Sequence, residues 1–308
     1  MTVVLPTSID EAVSALADPD IQVLAGGTDF MVEVNAGLRR PEKVLSLRGI
    51  PELRTWQRIG VGGAGGTGSR GVRLGASVTY TDMLGPELAE LIPALAQAAR
   101  TVGSPPIRNA GTIGGNLATA SPAGDTLPVL AALDALVEVA GPSGRRDVPI
   151  EAFITGPKRN ALDPGELIVA VRLPVVVGHQ EFRKIGVRNA MVIAVASLAL
   201  AVDTSARSVR CALGSVGPVP IRAHAAEEWL AAAIDWVELS GTAGAPGTAG
   251  ARAIPDLAPF GRLVAEAARP IDDHRGTASY RRHAVGVLAE RAAMQALSSL
   301  GPDTGAAA

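Results

Sequence analysis

Cysteine is almost absent from this sequence, since Cys211 is the only one among 308 residues. One thiol cannot form an intrachain disulfide, and alone it cannot ligate an iron–sulfur cluster or a structural zinc. Any such cluster that works with this protein must therefore lie on another chain. Cys211 itself falls in the alternating stretch Val209–Leu213, which predicts a buried thiol on a strand.

Aromatic residues are also scarce, at 3% of the sequence, and the formal net charge is only −2. Proteins that bind nucleic acids use basic surfaces and aromatic side chains on which bases stack. This composition therefore argues against a nucleic-acid partner.

Long hydrophobic runs are missing as well. The densest apolar stretch, Val192–Val202, is far shorter than the roughly 20 residues of a membrane-spanning helix. Residues Met1–Pro6 have neither the basic nor the apolar region of a secretory signal peptide. We therefore expect no membrane span and a cytoplasmic location.

Glycine, by contrast, is abundant, and it forms two distinctive segments. In the first, Leu24–Asp29, a buried strand turns on Gly26 and Gly27 into the start of a helix. Such a turn exposes backbone amides, and glycine lets the chain approach a phosphate closely. An ordinary β-turn explains the pair equally well, because Gly-Gly between a strand and a helix is common.

The second segment, Gly111–Asp125, is dense in glycines and hydroxyl groups and has no regular periodicity. Its amides and polar side chains can donate hydrogen bonds to phosphate or flavin oxygens, and Asp125 can accept one from a ribose or ribityl hydroxyl. A polar surface loop with Asp125 as a helix cap explains Asp125 but leaves the other residues without a role. The candidate donors are Thr112, Asn116, Thr119 and Ser121.

The predicted secondary structure divides the chain into three parts and gives an α+β fold. Residues 1–58 alternate short helices and strands, and the glycine-rich stretch Gly60–Gly71 predicts a hairpin tip or linker. Residues 59–176 form a second α/β part that ends near Pro174. Residues 177–308 predict a C-terminal domain with a three-stranded antiparallel sheet, helices and a mobile loop at Ser240–Ala251. The three strands are Phe182–Val187, Val192–Val202 and Val209–Val216.

Together the glycine segments resemble the FAD-binding subunit of the xanthine dehydrogenase and carbon monoxide dehydrogenase family, the molybdenum hydroxylases. The resemblance rests on Ala-Gly-Gly-Thr-Asp at 25–29 and Thr-Ile-Gly-Gly-Asn-x-Ala-x-Ala-Ser-Pro-x-x-Asp at 112–125. It extends over nearly the whole chain. Further matches are Leu74-Gly75-Ala76-x-x-Thr79, Gly103-Ser104-Pro105, Phe182-Arg183-Lys184 with Arg188, Arg269-Pro270-Ile271-Asp272-Asp273 and Ser279-Tyr280-Arg281-Arg282.

The resemblance implies two α/β subdomains that clasp FAD, in a PCMH-type flavin fold, followed by a C-terminal α+β domain. Both glycine segments would cradle the diphosphate, and a Cβ at Gly27 or Gly114 would occupy space that it needs. Without the resemblance, Lys184 would be read as a solvated surface lysine. The implied cofactor residues are Leu24, Ala25, Gly26, Gly27, Thr28, Asp29, Phe30, Thr112, Ile113, Gly114, Gly115, Asn116, Thr119, Ser121, Asp125, Ile168 and Lys184.

The resemblance also implies partner chains. A large subunit would hold the molybdenum cofactor and hydroxylate the substrate, and a small subunit would hold two [2Fe–2S] clusters. This chain would pass electrons through FAD to NAD or another acceptor, within a dimer of heterotrimers. Purines are the first expected substrate and N-heterocycles such as nicotine or quinolines the next. Carbon monoxide is less expected, because Thr28-Asp29 stands where carbon monoxide dehydrogenase flavin subunits typically have His-Ser.

Two other classes of function stay open. A stand-alone flavin oxidase would need a general base in a substrate pocket, yet the four histidines are scattered along the chain. A cofactor-free scaffold would explain the alanine- and valine-rich helices but not Gly111–Asp125. Neither glycine segment has the Gly-x-Gly-x-x-Gly or Gly-Lys-Ser/Thr pattern, so a Rossmann or P-loop fold is unsupported. The histidines are His179, His224, His274 and His283.

Overall fold

The computed structural model describes residues 2–61, 69–239 and 254–300. Its first part is a parallel sheet of three strands in the order β1-β3-β2. Parallel neighbours need crossover connections, which two short helices supply. The elements are β1 (Thr2–Val4), α1 (Ile9–Ala15), β2 (Ile21–Leu24), α2 (Phe30–Asn35) and β3 (Lys43–Ser46).

The middle part is built on a five-stranded antiparallel sheet. Its strands are β4 (Trp56–Val61), β5 (Ser69–Gly75), β6 (Leu136–Gly141), β7 (Gly144–Pro149) and, after the small hairpin β8 (Ile154–Gly156) and β9 (Arg159–Asn160), β10 (Leu167–Pro174). The strand order is β4-β5-β10-β6-β7. The helices of this part are α3 (Pro86–Leu91), α4 (Pro93–Thr101), α5 (Pro105–Ala110), α6 (Ile113–Thr119), α7 (Thr126–Ala132) and α8 (Ile150–Phe153).

The boundary between the first two parts differs from the prediction. The expected division between residues 58 and 59 falls inside β4, which pairs with β5 from Trp56 to Val61. The chain therefore changes sheets before Trp56, and the glycine-rich stretch joins two paired strands rather than two domains. Residues 62–68 of that stretch, and the loop predicted at Ser240–Ala251, lie outside the described residues.

The C-terminal part has one strand more than the sequence predicted. Strands β11 (Gly178–Ile185), β12 (Ala196–Asp203), β13 (Ser208–Gly214) and β14 (Ile221–Arg222) form an antiparallel sheet in chain order. Strand β14 has only two residue pairs with β13, too few for any periodicity to reveal it. The helices are α9 (His224–Ala233), α10 (Trp236–Leu239), α11 (Ala258–Ala267) and α12 (Ala278–Ser299). No helix in the described ranges has the length and apolar character needed to cross a membrane.

Strand β12 shows how the C-terminal sheet is fixed to the middle part. Its larger residues, such as Leu198 and Leu200, belong to the core shared with α9, α11 and α12. Its alternate residues, Ala199 and Ala201, face the core of the middle part, where α7 packs on β12 and β13 and α4 packs on β11. Side chains alternate between the two faces of a strand, and the small alanines let helices approach closely. This packing brings β11 beside the second glycine segment.

Candidate functional site

The first glycine segment follows the carboxyl end of β2. Gly27 has a φ of +74°, in the left-handed region that favours glycine. The backbone amides from Gly26 to Asp29 donate no hydrogen bond to any other residue that the structure describes. Unpaired amides at the start of a helix attract anions. This turn can therefore hold a phosphate group.

The second glycine segment lies directly against the first. A Cβ on Gly26 would overlap the carbonyl oxygen of Ala110 and lie 3.1 Å from the Cα atom of Gly111. The Thr119 hydroxyl donates to Asp29 Oδ2 at 2.7 Å, which joins the two segments. The structure thus brings together two motifs that are far apart in the sequence.

The amides at the start of α6 are used within the protein. The Thr112 hydroxyl caps α6 by accepting a hydrogen bond from the Gly115 amide at 3.0 Å. The amides of Ile113 and Gly114 donate to carbonyls of residues 76–78, at 3.0 and 2.8 Å. The amides of Thr112, Ser121 and Asp125, like those of the first segment, donate no hydrogen bond to another described residue.

The two central glycines of the second segment have different surroundings. A Cβ on Gly114 would lie 2.7 Å from both the Cβ and the carbonyl oxygen of Ala76. This corrects the expectation that Gly114 leaves room for a diphosphate, because its missing Cβ allows α6 to pack on the backbone of residue 76. A Cβ on Gly115 would lie 3.0 Å from Thr112 Oγ1 and 4.0 Å from the Cβ of Ala25. Gly115 therefore borders the space between the segments.

Other residues implied by the resemblance shape the surrounding structure. The Asn116 amide oxygen accepts from the Thr126 hydroxyl at 2.5 Å, and the Ser121 hydroxyl accepts from the Ala123 amide at 3.3 Å. Ile168 is buried in β10, against which α6 packs. These contacts hold α6, its following loop and α7 together.

Asp125 and Lys184 form a buried ion pair between the middle and C-terminal parts. Lys184 Nζ lies 2.5 Å from Asp125 Oδ2, and the two side chains are 7% and 6% exposed. The residue-based reading of Lys184 as a solvated surface lysine is therefore wrong. The Thr101 hydroxyl donates to the same carboxylate oxygen at 3.0 Å. Burial raises the pKa of Asp125, and its contacts with Lys184 and Thr101 partly oppose that rise.

The second carboxylate oxygen of Asp125 is the important one for binding. Asp125 Oδ1 is buried and has no hydrogen-bond partner within the described ranges. A buried acceptor without a donor is costly, and a ligand hydroxyl would satisfy it. This matches the role of accepting from a ribose or ribityl hydroxyl.

Tyr80 borders the candidate site and was not among the residues expected from the sequence. It is buried, and its ring packs on Gly111, where a Cβ would lie 2.7 Å from Tyr80 Cε2. Burial, with the nearby charges of Asp125 and Asp29, raises the pKa of Tyr80. Its ring thus stands beside both segments. The only signal in the sequence was its place directly after Thr79 in a matched stretch.

The arrangement fits a flavin nucleotide. It offers unpaired amides for a diphosphate, a glycine where a Cβ would narrow the gap, and a buried acceptor for a hydroxyl. Within the described residues, no group of three or more histidine, cysteine, aspartate or glutamate side chains is placed to hold a metal ion.

Comparison with known proteins identifies the family to which this chain belongs. The model of the FAD binding domain in molybdopterin dehydrogenase matches residues 1–176. The chain belongs to this family. It is an FAD-binding medium subunit of the molybdenum hydroxylases, and so an oxidoreductase subunit, which confirms the resemblance found in the sequence.

Relatives of this medium subunit are similar over most of their length. The glyceraldehyde dehydrogenase medium chain of Sulfolobus acidocaldarius is 30% identical over 291 residues, which are 92% of this chain and 94% of that protein. The xanthine dehydrogenase FAD-binding subunit of Escherichia coli O157:H7 is 31% identical over 230 residues, 72% of this chain and 76% of that protein.

A solved structure has the same mixed helix and sheet architecture. It is the carbon monoxide dehydrogenase of Hydrogenophaga pseudoflava that lacks the Mo-pyranopterin moiety of the molybdenum cofactor. The TM-score is 0.80 at 27% identity, with 98% of both chains covered. The fold therefore extends beyond residues 1–176 to the C-terminal part.

Proposed function

We propose that this medium subunit binds one FAD between its two glycine segments and serves as the electron-transfer module of a molybdenum hydroxylase complex. The observation that carries the proposal is the contact between the segments, where the unpaired amides of Gly26 to Asp29 lie beside α6. Bound FAD would supply the ability to take up electrons singly and release them as a pair.

The chain's own residues would bind and orient the cofactor. The amides from Gly26 to Asp29 would donate to the diphosphate, and Gly115 would keep the gap between the segments open. Asp125 would accept a hydrogen bond from a hydroxyl of the ribityl or ribose group, while Lys184 compensates its buried charge. Leu24, Ala25, Phe30 and Ile168 would line the rest of the site.

The cofactor would be held noncovalently. Residues 24–30 and 111–125 contain no cysteine or histidine that could form a linkage to a flavin. Affinity then depends on the hydrogen bonds and packing of the two segments.

The partners in this proposal are a large subunit with the molybdenum cofactor and a small subunit with [2Fe–2S] clusters, in a dimer of heterotrimers. The support is that relatives are named as medium chains or FAD-binding subunits of dehydrogenases. The single cysteine, buried in β13, leaves the ligands of any cluster to another chain. NAD is the first electron acceptor to test, followed by a quinone and oxygen.

A purine such as xanthine is the substrate that we propose first for the complex. The support is the similarity to a xanthine dehydrogenase FAD-binding subunit. The Thr28-Asp29 pair, where carbon monoxide dehydrogenase flavin subunits typically have His-Ser, argues only against carbon monoxide. The relatives named above differ in substrate at similar identities, 27% to 31%. Carbon monoxide, glyceraldehyde and N-heterocycles therefore belong in the same assay.

Reconstitution tests this function. The chain alone should reduce dyes with NADH at most, and substrate turnover should require both partner subunits. A complex assembled with Gly27→Val in this chain is the matched control, which should be reduced by substrate but should not reduce the acceptor. Hydroxylation by this chain alone, shown by mass spectrometry to be free of partners, would refute the electron-transfer role.

A further inference from the structure

The C-terminal part holds the second glycine segment at Pro122. The amide of Ser215, directly after β13, donates to the carbonyl oxygen of Pro122 at 2.9 Å. The neighbouring residue also packs closely, since a Cβ on Gly214 would lie 3.1 Å from Cγ of Pro128. The end of β13 thus packs against both the loop that leads to Asp125 and the first turn of α7.

Ser215 has an unusual backbone conformation. Its φ is +62°, which a residue with a side chain seldom adopts. Such a conformation persists only where the surroundings fix it, and it is a pointer to function. The fixing group is Arg281 of α12, whose Nη1 donates to the Ser215 carbonyl oxygen at 3.0 Å.

Arg281 is a buried charge that has one acidic partner among the residues the structure describes. The residue is 3% exposed, and its Nη2 pairs with Asp273. Asp273 also accepts from the amide and the guanidinium of Arg275, each at 2.8 Å. A buried arginine is costly, and it is kept where it is paired and hydrogen-bonded.

The polar groups around Arg281 are incompletely paired. Arg281 Nε and Ser215 Oγ are both buried and lack hydrogen-bond partners in the described part of the chain. If this cluster had been selected only for stability, these polar groups would be hydrogen-bonded or replaced by apolar ones. The contacts that are present link Asp273 to Arg281, Arg281 to Ser215, and Ser215 to Pro122.

We propose that Arg281 is a positioning residue for the flavin site. Through Ser215 it fixes Pro122, and thereby sets the loop Ser121–Asp125 that would contact FAD. This rests on the proposed function, because the loop matters only if FAD binds there. The loop is then held from two strands of the C-terminal sheet, by Lys184 of β11 at Asp125 and by Ser215 after β13 at Pro122.

Titration of the flavin-free full chain with FAD tests the proposal. For Arg281→Gln we expect the dissociation constant of FAD to rise about tenfold, because a loop that is less well fixed in the free chain loses more conformational entropy on binding. The visible circular dichroism of the bound flavin should also change. Arg275→Gln is the matched control, since it removes the other arginine on Asp273 but has no contact with Ser215, and it should keep the wild-type affinity.

A rescue variant separates positioning from general stability. Glycine adopts a positive φ without a side-chain penalty, so Ser215→Gly in the Arg281→Gln background should recover most of the lost affinity. Arg222→Gln, which breaks a different contact between the two parts, gives the reference for thermal destabilisation without loss of affinity. If Arg281→Gln does not fold, Arg281→Lys keeps the charge without the planar fork and should bind FAD more weakly than wild type.

The outcomes are distinct. Wild-type affinity in a folded Arg281→Gln or Arg281→Lys chain would overturn the positioning role while leaving the proposed function intact. Failure of Ser215→Gly to restore binding, or an affinity loss no larger than that of an equally destabilised Arg222→Gln, would overturn it too. A folded wild-type chain that binds no FAD would overturn both proposals.

Discussion

Gly114 and Gly115 should separate folding from flavin binding, although they are adjacent in α6. An alanine methyl at Gly114 would lie 2.7 Å from two atoms of Ala76, one of them a backbone oxygen that cannot move aside cheaply. Overpacking of this kind lowers the free energy of unfolding by about 1–3 kcal/mol, whereas the higher helix propensity of alanine raises it by about 1 kcal/mol. Because one of the two atoms belongs to the backbone, the cost should lie in the upper half of that range, at about 2–3 kcal/mol. We therefore expect Gly114→Ala to lower the free energy of unfolding by about 1–2 kcal/mol.

An alanine methyl at Gly115 would have different neighbours. Its one tight contact is the Thr112 hydroxyl at 3.0 Å, which can shift slightly. The gain of about 1 kcal/mol in helix propensity offsets this contact, so stability should stay close to that of wild type. The methyl narrows the gap between the segments, and we expect FAD affinity to fall by about tenfold or more, the effect of 1.4 kcal/mol.

Urea unfolding of the flavin-free chains and fluorescence titration with FAD measure the two effects. Gly114→Ala should chiefly lose stability, and Gly115→Ala should chiefly lose affinity. Wild-type FAD affinity in Gly115→Ala, or wild-type stability in Gly114→Ala, would refute this difference.

Three further results are expected. Arg222→Ala should cost about 3–5 kcal/mol in urea unfolding, because the buried Glu227 carboxylate, now 2.6 Å from Arg222, loses its arginine and keeps the Cys211 amide and His224 as neighbours; unchanged stability would contradict this. Burial raises the pKa of the Cys211 thiol, so a thiol reagent should modify it only on unfolding, and rapid labelling of the native chain would be the contrary result. FAD at about 100 times its dissociation constant should stabilise the chain by about 2.7 kcal/mol, and an unchanged melting temperature would speak against specific binding.

Local patterns in the sequence predicted the local structure of the site. The strand that ends at Leu24 and the turn on Gly27 follow from a short apolar run before two glycines, and the positive φ of Gly27 agrees with them. The expectation that this strand is buried was wrong, because β2 is only partly covered and Val23 is 37% exposed. Alternation along Val209–Leu213 predicted a buried thiol on a strand, and Cys211 is buried in β13. Such signals depend on neighbours in the chain.

Contacts between distant residues could not be predicted in this way. Thr119 and Asp29 are 90 residues apart in sequence, and no local pattern reports their hydrogen bond. Lys184 shows no sign of burial in its own strand, because the pair with Asp125 depends on how the C-terminal sheet packs on α4 and α7. The resemblance to a family supplied these residues, and the structure supplied their physical reason.

The boundary between the first two parts was predicted wrongly, because a glycine-rich stretch was interpreted as a linker between domains. A glycine-rich stretch predicts a linker or a hairpin tip with equal justification. The choice depended on whether Trp56–Val61 pairs with the strand that follows, which the sequence does not state. The insertion of β10 between β5 and β6 was hidden for the same reason.

The flavin content of the folded chain tests the central claim most directly. We expect the flavin-free chain to take up one FAD, with the visible absorbance of a bound flavin, and to release all of it on acid precipitation. Gly27→Val should remain folded by circular dichroism but fail to retain the cofactor, because a branched side chain is strained at a φ of +74° and crowds the turn. A correctly folded wild-type chain that takes up no FAD, or a flavin that stays in the acid pellet, would contradict the account.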